Sequence, residues 1–177
     1  KSILGDPEKV TIKPEQATSE KVEQALYYVS KKSKTNLLIH LIEQNEIDSV
    51  LVFSRTKHGA NKIVKKLDQA KIKAEAIHGN KSQGARQRAL ENFKNRETRV
   101  LIATDIAARG IDVEDITHVI NYNLPDDTEN YTHRSGRTAR AGKTGISLAL
   151  ILPSEIQRIH ELQKSLEIKF KEQILPL

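Results

Sequence analysis

The chain has 177 residues, a formal charge of +6 and no cysteine, which excludes a disulfide framework and any thiolate metal site. Aromatic residues make up 4 % and tryptophan is absent, which argues against base stacking as the main contact to a polyanion and leaves backbone phosphate as the expected target. The length suits one domain, no apolar run approaches a membrane span, and the first residues lack a signal-peptide core, so a soluble, cytoplasmic, monomeric domain is expected.

Residues 1–19 hold Pro7 and Pro14 amid mixed charge and weak periodicity, and read as a linker or tail arriving from a missing N-terminal domain, with residues 20–177 forming the domain proper. Residues 26–29 read as a strand, and Leu37, Leu38, Leu41 and Ile42 as the apolar face of the helix behind the polar residues 30–33. Ser49-Val50-Leu51-Val52-Phe53 is a short strand of the doubly buried kind, followed by a helix with Ala60, Ile63, Val64 and Leu67 on one side. The alternation repeats with residues 74–77 then 82–93, and with 100–103 then a short helical segment after Asp105. Residues 118–122 precede the 126–140 region, and 146–152 precede a helix carrying Ile156, Ile159, Leu162 and Leu166. Strands and helices alternating at this spacing imply an α/β fold with a parallel sheet and helices on both faces. Ligands bind such sheets outside the carboxyl ends of the strands, so residues 53–56, 78–79, 103–105 and 123–125 should leave on one rim.

His133-Arg134-Ser135-Gly136-Arg137-Thr138-Ala139-Arg140 sets three arginines at offsets of three. Guanidinium groups held so close repel one another until an anion arrives, and they cannot shed their charge. Behind a capped start at Asp126, Asp127 and Thr128, the offsets put Arg134, Arg137 and Arg140 along one helix face, a row suited to a triphosphate or a nucleic-acid backbone. The plainer alternative is a solvated basic face. Thr56 and Thr104 each follow an apolar strand, where a hydroxyl and nearby N–H groups hold a phosphate or else merely cap the next helix. Arg86, on a helix that turns Ala85, Ala89, Leu90 and Phe93 inward, would reach the same rim, whereas Arg88 reads as plain exposed charge. Asp112 closes the turn at 108–112, where it would accept from a ribose diol or balance the arginines. The run ending Gly142-Lys143-Thr144 mimics a phosphate loop, but its glycines are one residue too far apart and it precedes a strand, so it reads as a turn. The six histidines show no metal-ligand pairing, and no metal site is expected.

Thr104-Asp105-Ile106-Ala107-Ala108-Arg109-Gly110-Ile111-Asp112, followed by His133-Arg134-x-Gly136-Arg137-x-x-Arg140, resembles motifs V and VI of the DEAD-box RNA helicases. Val52-Phe53-Ser54-Arg55-Thr56 resembles motif IV and Gln83-Gly84-Ala85-Arg86 the Q-x-x-R element, all in the family's order. Residues 55–60 and 77–86 resemble the bacterial RhlE-like subgroup in particular. Two positions depart from the pattern: Ala139 stands where the family usually has glycine, and Asn123 where many members have an acidic residue before the proline.

The resemblance implies a RecA-like three-layer domain, the C-terminal one of two, in a full-length enzyme that binds ATP and Mg²⁺ between the domains and clamps one RNA strand across both. It implies Arg137 and Arg140 as arginine fingers on the γ-phosphate, and Gly110 and Asp112 at the nucleotide, with Asp112 toward the ribose. Thr56, Gly79, Arg86 and Thr104 would contact the RNA sugar–phosphate backbone, and Asp105, Arg109, His133 and Arg134 would couple the domains. No Walker A run and no Asp-Glu-x-Asp run occurs in this chain. The Mg²⁺ ligands and the base that orients water would therefore belong to the missing N-terminal RecA-like domain, and this domain alone should be inactive. Two other readings stay open: a stand-alone RNA- or protein-binding module without turnover, and the matching half of a DNA helicase of the same superfamily.

Overall fold

Val50, Leu51, Val52 and Phe53 are each at most 1 % exposed, and a run of successive apolar residues with no solvent side suits a strand covered on both faces. They form β2 (Val50–Phe53), an inner strand of a seven-stranded parallel sheet in a computed structural model that describes residues 22–44, 47, 49–109, 116–138 and 145–173. The other strands are β1 (Val22–Tyr28), β3 (Ala74–Ile77), β4 (Val100–Ala103), β5 (His118–Asn121), β6 (Gly145–Ile151) and β7 (Lys171–Gln173). Their spatial order is β3-β4-β2-β5-β6-β1-β7.

The described residues include the helices α1 (Lys34–Gln44), α2 (Lys57–Gln69), α3 (Gln83–Lys94), α4 (Asp105–Ala108), α5 (Thr128–Ser135) and α6 (Ile156–Leu166). Where the chain steps across the sheet toward β3, its helices lie on one face; where it steps back, they lie on the other, as one handedness of crossover requires. On the first face Leu38, Ile42, Ile63 and Leu67 of α1 and α2 cover Val50, Val52, Val100 and Ile102. On the second, Ala89, Phe93 and Ala107 cover Leu51, Phe53 and Leu101, while Tyr131, Ile159 and Leu162 cover Leu26, Ala149 and Ile151. This is the three-layer α/β arrangement of a RecA-like domain, as expected.

Three elements differ from expectation. β1 begins at Val22, because it pairs with β6 along its whole length, from Val22 beside Gly145 to Tyr28 beside Ile151. β7 has no apolar run to announce it; pairing with β1, from Ala25 beside Lys171 to Tyr27 beside Gln173, holds it in place. α5 stops at Ser135 with Gly136 as its C-cap, and Thr138 is drawn into a bridge with Ile116, whose carbonyl accepts from the Thr138 hydroxyl. Arg137 therefore lies beyond the helix, and the expected helical row of arginines does not form. Residues 1–19, Gly110, Asp112, Arg140 and the run at 142–144 lie outside the described residues.

Candidate functional site

Ile77 pairs with Ala103, Ala103 with Phe53, and Phe53 with Asn121, so β3, β4, β2 and β5 end level. Residues 54–56, 78–79, 104–105 and 122–125 consequently leave the sheet on one rim, where the parallel fold places its ligands.

The residue that holds this rim together is Arg134. It is 1 % exposed, and its guanidinium forks onto the Asp105 carboxylate, Nε to Oδ1 at 2.7 Å and Nη2 to Oδ2 at 2.8 Å. Nη1 donates to Asn121 Oδ1 at 3.2 Å and to the Asn123 carbonyl at 2.6 Å, and the carbon at the centre of the group lies 4.9 Å from the Phe53 ring. One side chain from α5 thus fixes the ends of β2, β4 and β5, in bidentate geometry that lysine cannot reproduce. The sequence spacing gave Arg134 the same standing as Arg137; burial removes it from any row of guanidinium groups facing a ligand.

The two threonines divide in the same way. Thr56 Oγ1 accepts the Gly59 N–H at 3.0 Å and so caps α2. A Cβ on Gly59 would stand 2.8 Å from Ser54 Oγ, which is why a glycine opens this helix, a role the sequence reading missed. Thr104 occupies the N-cap of α4 without a side-chain cap bond, leaving its half-buried hydroxyl free for another acceptor or donor. Arg86 on α3 is half-buried and makes no ion pair or side-chain hydrogen bond among the described residues. A Cβ on Gly79 would meet nothing within 4 Å, so this stretch of the rim is open. Beside it His78 is buried, its Nδ1 accepting the Asn80 N–H at 3.2 Å and its Nε2–H donating to Asn61 Oδ1 at 3.0 Å. Burial, then the nearby Lys81, Lys57 and His58, push its pKa down, so the ring serves as a neutral brace for the loop.

Asp105, Arg109, His133 and Arg137 line one narrow cleft, with the buried Phe53 and Arg134. Arg109 is exposed and donates to Asn130 Oδ1 at 3.2 Å. His133 is exposed, and so is Ile106, which leaves 84 % of its surface to solvent between Asp105 and Arg109. That exposed apolar residue on α4, the helix that also carries Asp105, was not singled out from sequence, where it looks like any helix-core isoleucine. Among the described residues no three histidine or acidic side chains come together to hold a metal, and no helix is long and apolar enough to cross a membrane.

Residues 122–125 form the fourth part of the rim, and cationic side chains grip their carbonyls one by one. Lys34 Nζ donates to Tyr122 O at 2.5 Å and lies 5.3 Å from the Tyr122 ring centre. Its pKa is pushed down by burial, a shift that Glu155 opposes. Arg134 serves the Asn123 carbonyl, Arg55 Nη2 the Leu124 carbonyl at 3.4 Å, and Arg158 the Pro125 carbonyl. Asn123 Oδ1 also accepts the Arg55 N–H at 2.9 Å. A carboxylate would accept that bond equally well, so the departure at Asn123 keeps the contact.

A model of the helicase conserved C-terminal domain matches residues 33–142. The ATP-dependent RNA helicase CshA of Limosilactobacillus reuteri is 39 % identical over 177 residues, covering 99 % of this chain and 34 % of CshA. The chain spans about a third of the length of the curated relatives it matches. Among solved structures, the E. coli DEAD-box protein SrmB bound to regulator of ribonuclease activity A superposes with a TM-score of 0.82 at 34 % identity, over 86 % of this chain and 91 % of that one. S. cerevisiae Dbp5 bound to RNA and ADP BeF3 gives 0.82 at 27 % identity, over 89 % and 44 %. With more than half of its residues inside the family match, the chain belongs to the helicase conserved C-terminal domain family, as the C-terminal domain of a DEAD-box RNA helicase.

Proposed function

We propose that this chain supplies the second half of an ATP-dependent RNA helicase. Arg137 and Arg140 approach the γ-phosphate of an ATP held by an N-terminal RecA-like domain, Gly110 and Asp112 face its nucleoside, and Asp112 accepts from the ribose. Thr56, Gly79, Arg86 and Thr104 hold one RNA strand by its sugar–phosphate backbone, which positions the strand without reading its bases. Asp105, Arg109 and His133 meet the other domain, with Arg134 setting the position of Asp105 from within. The observation that carries this reading is the sorting of polar groups at the rim: Arg134 is committed to the fold, while Arg86 and Thr104 keep theirs open and Arg137 lines a cleft with Arg109 and His133.

Arginines that reach a transferring phosphoryl group stabilise the charge of its transition state, an effect worth roughly 10³ to 10⁵ in rate in enzymes of this chemistry. Mg²⁺ neutralises phosphate charge when bound; among the described residues the guanidinium-rich cleft offers it no carboxylate cluster, and we assign its ligands to the other domain. The names of the relatives support ATP and RNA as the ligands, and Dbp5 was solved with RNA and ADP BeF3. Placement in the RhlE-like subgroup rests on residues 55–60 and 77–86 alone. Solubility in the cytoplasm and a monomeric isolated domain complete the reading.

The test is RNA-stimulated ATP hydrolysis by this chain joined to its natural N-terminal domain, compared with Arg137→Ala and Arg140→Ala. Each substitution should lower turnover by roughly 10³ while RNA and ATP still bind. Turnover that survives both would assign the arginines to RNA binding or domain contact and overturn the reading. The chain by itself should not hydrolyse ATP.

A further inference from the structure

Among the described residues strand β3 ends the sheet: it pairs with β4 and has no described strand on its other side. The carbonyls of Lys73 and Ile77 accept from the N–H groups of Val100 and Thr104 at 3.3 and 3.4 Å. Successive residues of a strand turn their backbone groups to opposite sides, so the peptide groups of Ala74 and Ala76 face away from β4. No described residue bonds them there. Ala76 is 5 % exposed as a whole residue, and a row of backbone groups left unpaired along a sheet edge is a template for a further strand.

These groups open on a groove of about 330 Å³ between α2 and α3, walled by Asn61 and Val64 on one side and by Ala85 and Arg88 on the other. Both outward-facing residues of the edge are alanines, so no bulky side chain blocks a backbone laid alongside at the usual strand spacing of about 4.8 Å. Edge strands are normally blunted by a charge, a proline or a covering element; β3 is protected by its shortness. The charge of the groove is uneven. Lys81 and Arg88 are exposed in its lining and neither forms an ion pair among the described residues. Glu75, the one acid in the lining, is already engaged, its Oε2 accepting from Asn92 Nδ2 at 2.9 Å and Thr98 Oγ1 at 2.6 Å.

We infer that this edge docks an extended acidic segment of a partner protein, which adds as a further strand bonded to the Ala74 and Ala76 peptide groups and pairs its carboxylates with Lys81 and Arg88. An extended peptide presents N–H and C=O groups in alternation to the open backbone groups and carboxylates to the two cations, whereas a nucleic-acid backbone meets the cations but brings only ribose hydroxyls, and no strand-like row of N–H and C=O groups, to Ala74 and Ala76. None of the residues assigned above to RNA or nucleotide takes part.

The experiment is a titration of the ¹⁵N-labelled chain with a short acetylated peptide of alternating glutamate and valine, followed by amide chemical shifts. Shifts should concentrate at Ala74, Ala76 and the groove-lining residues of α2 and α3. Lys81→Glu and Arg88→Glu, both at exposed positions and checked for an intact spectrum, should each weaken binding at least about five-fold. The same peptide N-methylated at alternate residues keeps its charge but loses its strand-forming donors, and should bind about ten-fold more weakly. Equal binding of the methylated peptide would reduce the effect to charge attraction and overturn the proposal. So would shifts centred on Arg86 and Thr104, displacement of the β3 shifts by oligouridine RNA binding in the same groove, or a peptide-free dimer that protects the β3 amides.

Discussion

Arg134 and Arg137 stand three residues apart in one motif and in opposite circumstances. The first is buried in α5, forked onto Asp105 and bonded to Asn121 and Asn123; the second lies past the helix end, half-buried in the cleft that Arg109 and His133 share. Thr56 and Thr104 repeat the contrast on the neighbouring loops, one capping α2 and the other keeping its hydroxyl free. A motif is thus a mixture of residues that build the surface and residues that use it, and the difference lies in burial and hydrogen-bond partners, which the spacing of letters does not encode.

The comparison is most easily broken at Arg134. Arg134→Ala removes one partner of a buried ion pair and strands two further acceptors, and should cost about 3 kcal/mol by urea unfolding, the low end for such pairs because Asp105 keeps 24 % of its side chain exposed. Arg137→Ala should cost about 1 kcal/mol or less. Equal losses would erase the distinction. Adding Asp105→Ala to Arg134→Ala should cost less than the sum of the two single changes, as a shared network requires.

The buried half of α5 can be sharpened by pH. The Tyr131 hydroxyl bonds Gln24 Oε1 and lies 3.3 Å from Ser147 Oγ, and burial, opposed by Ser147, Ser135 and Arg134, pushes its pKa from 10.0 up to about 12. A raised tyrosine pKa means that the unfolded chain releases its proton first. The stability tied to Tyr131 is therefore whole below pH 10 and is lost as the pH climbs through about 12, a fall on the order of 2 kcal/mol. Tyr131→Phe should be less stable at neutral pH and should lack this portion of the alkaline loss; an unchanged alkaline profile would show that the hydroxyl does not titrate there.

The smallest difference separates the threonines. Thr56→Ala should lower the melting stability by about 1 kcal/mol through loss of the cap. Thr104→Ala should stay within about 0.5 kcal/mol, yet weaken RNA binding in the two-domain form. A stability loss at Thr104 equal to that at Thr56 would place both hydroxyls in the fold.

Much of this architecture was legible because its signals are local. The runs at β2 and β4 are apolar without interruption, the helix faces repeat at helical period, and the level strand ends follow once the sheet is known to be parallel. Thr56, Gly79 and Thr104 were placed on the rim by the same logic. The illegible parts depend on partners far along the chain. Nothing near Arg134 announces Asp105 and Phe53, nothing in Lys171–Gln173 announces β1, and Lys34 finds its acceptor 88 residues away at Tyr122. Backbone signals were missing too: Lys71, Arg96 and Glu167 take positive φ of 64°, 66° and 55° just after α2, α3 and α6, positions where a glycine would have marked the stop.

The carbonyls of residues 122–125 are each gripped by a cation from a different part of the chain: Lys34 on α1, Arg134 on α5, Arg55 in the loop after β2 and Arg158 on α6. Mechanically this is a riveted seam. A pull on any one of the four parts loads the other three through the same short length of backbone, so the rim resists bending and turns as a single stiff plate. Loss of any one cation would free that length of backbone from one part of the chain while leaving it tied to the other three.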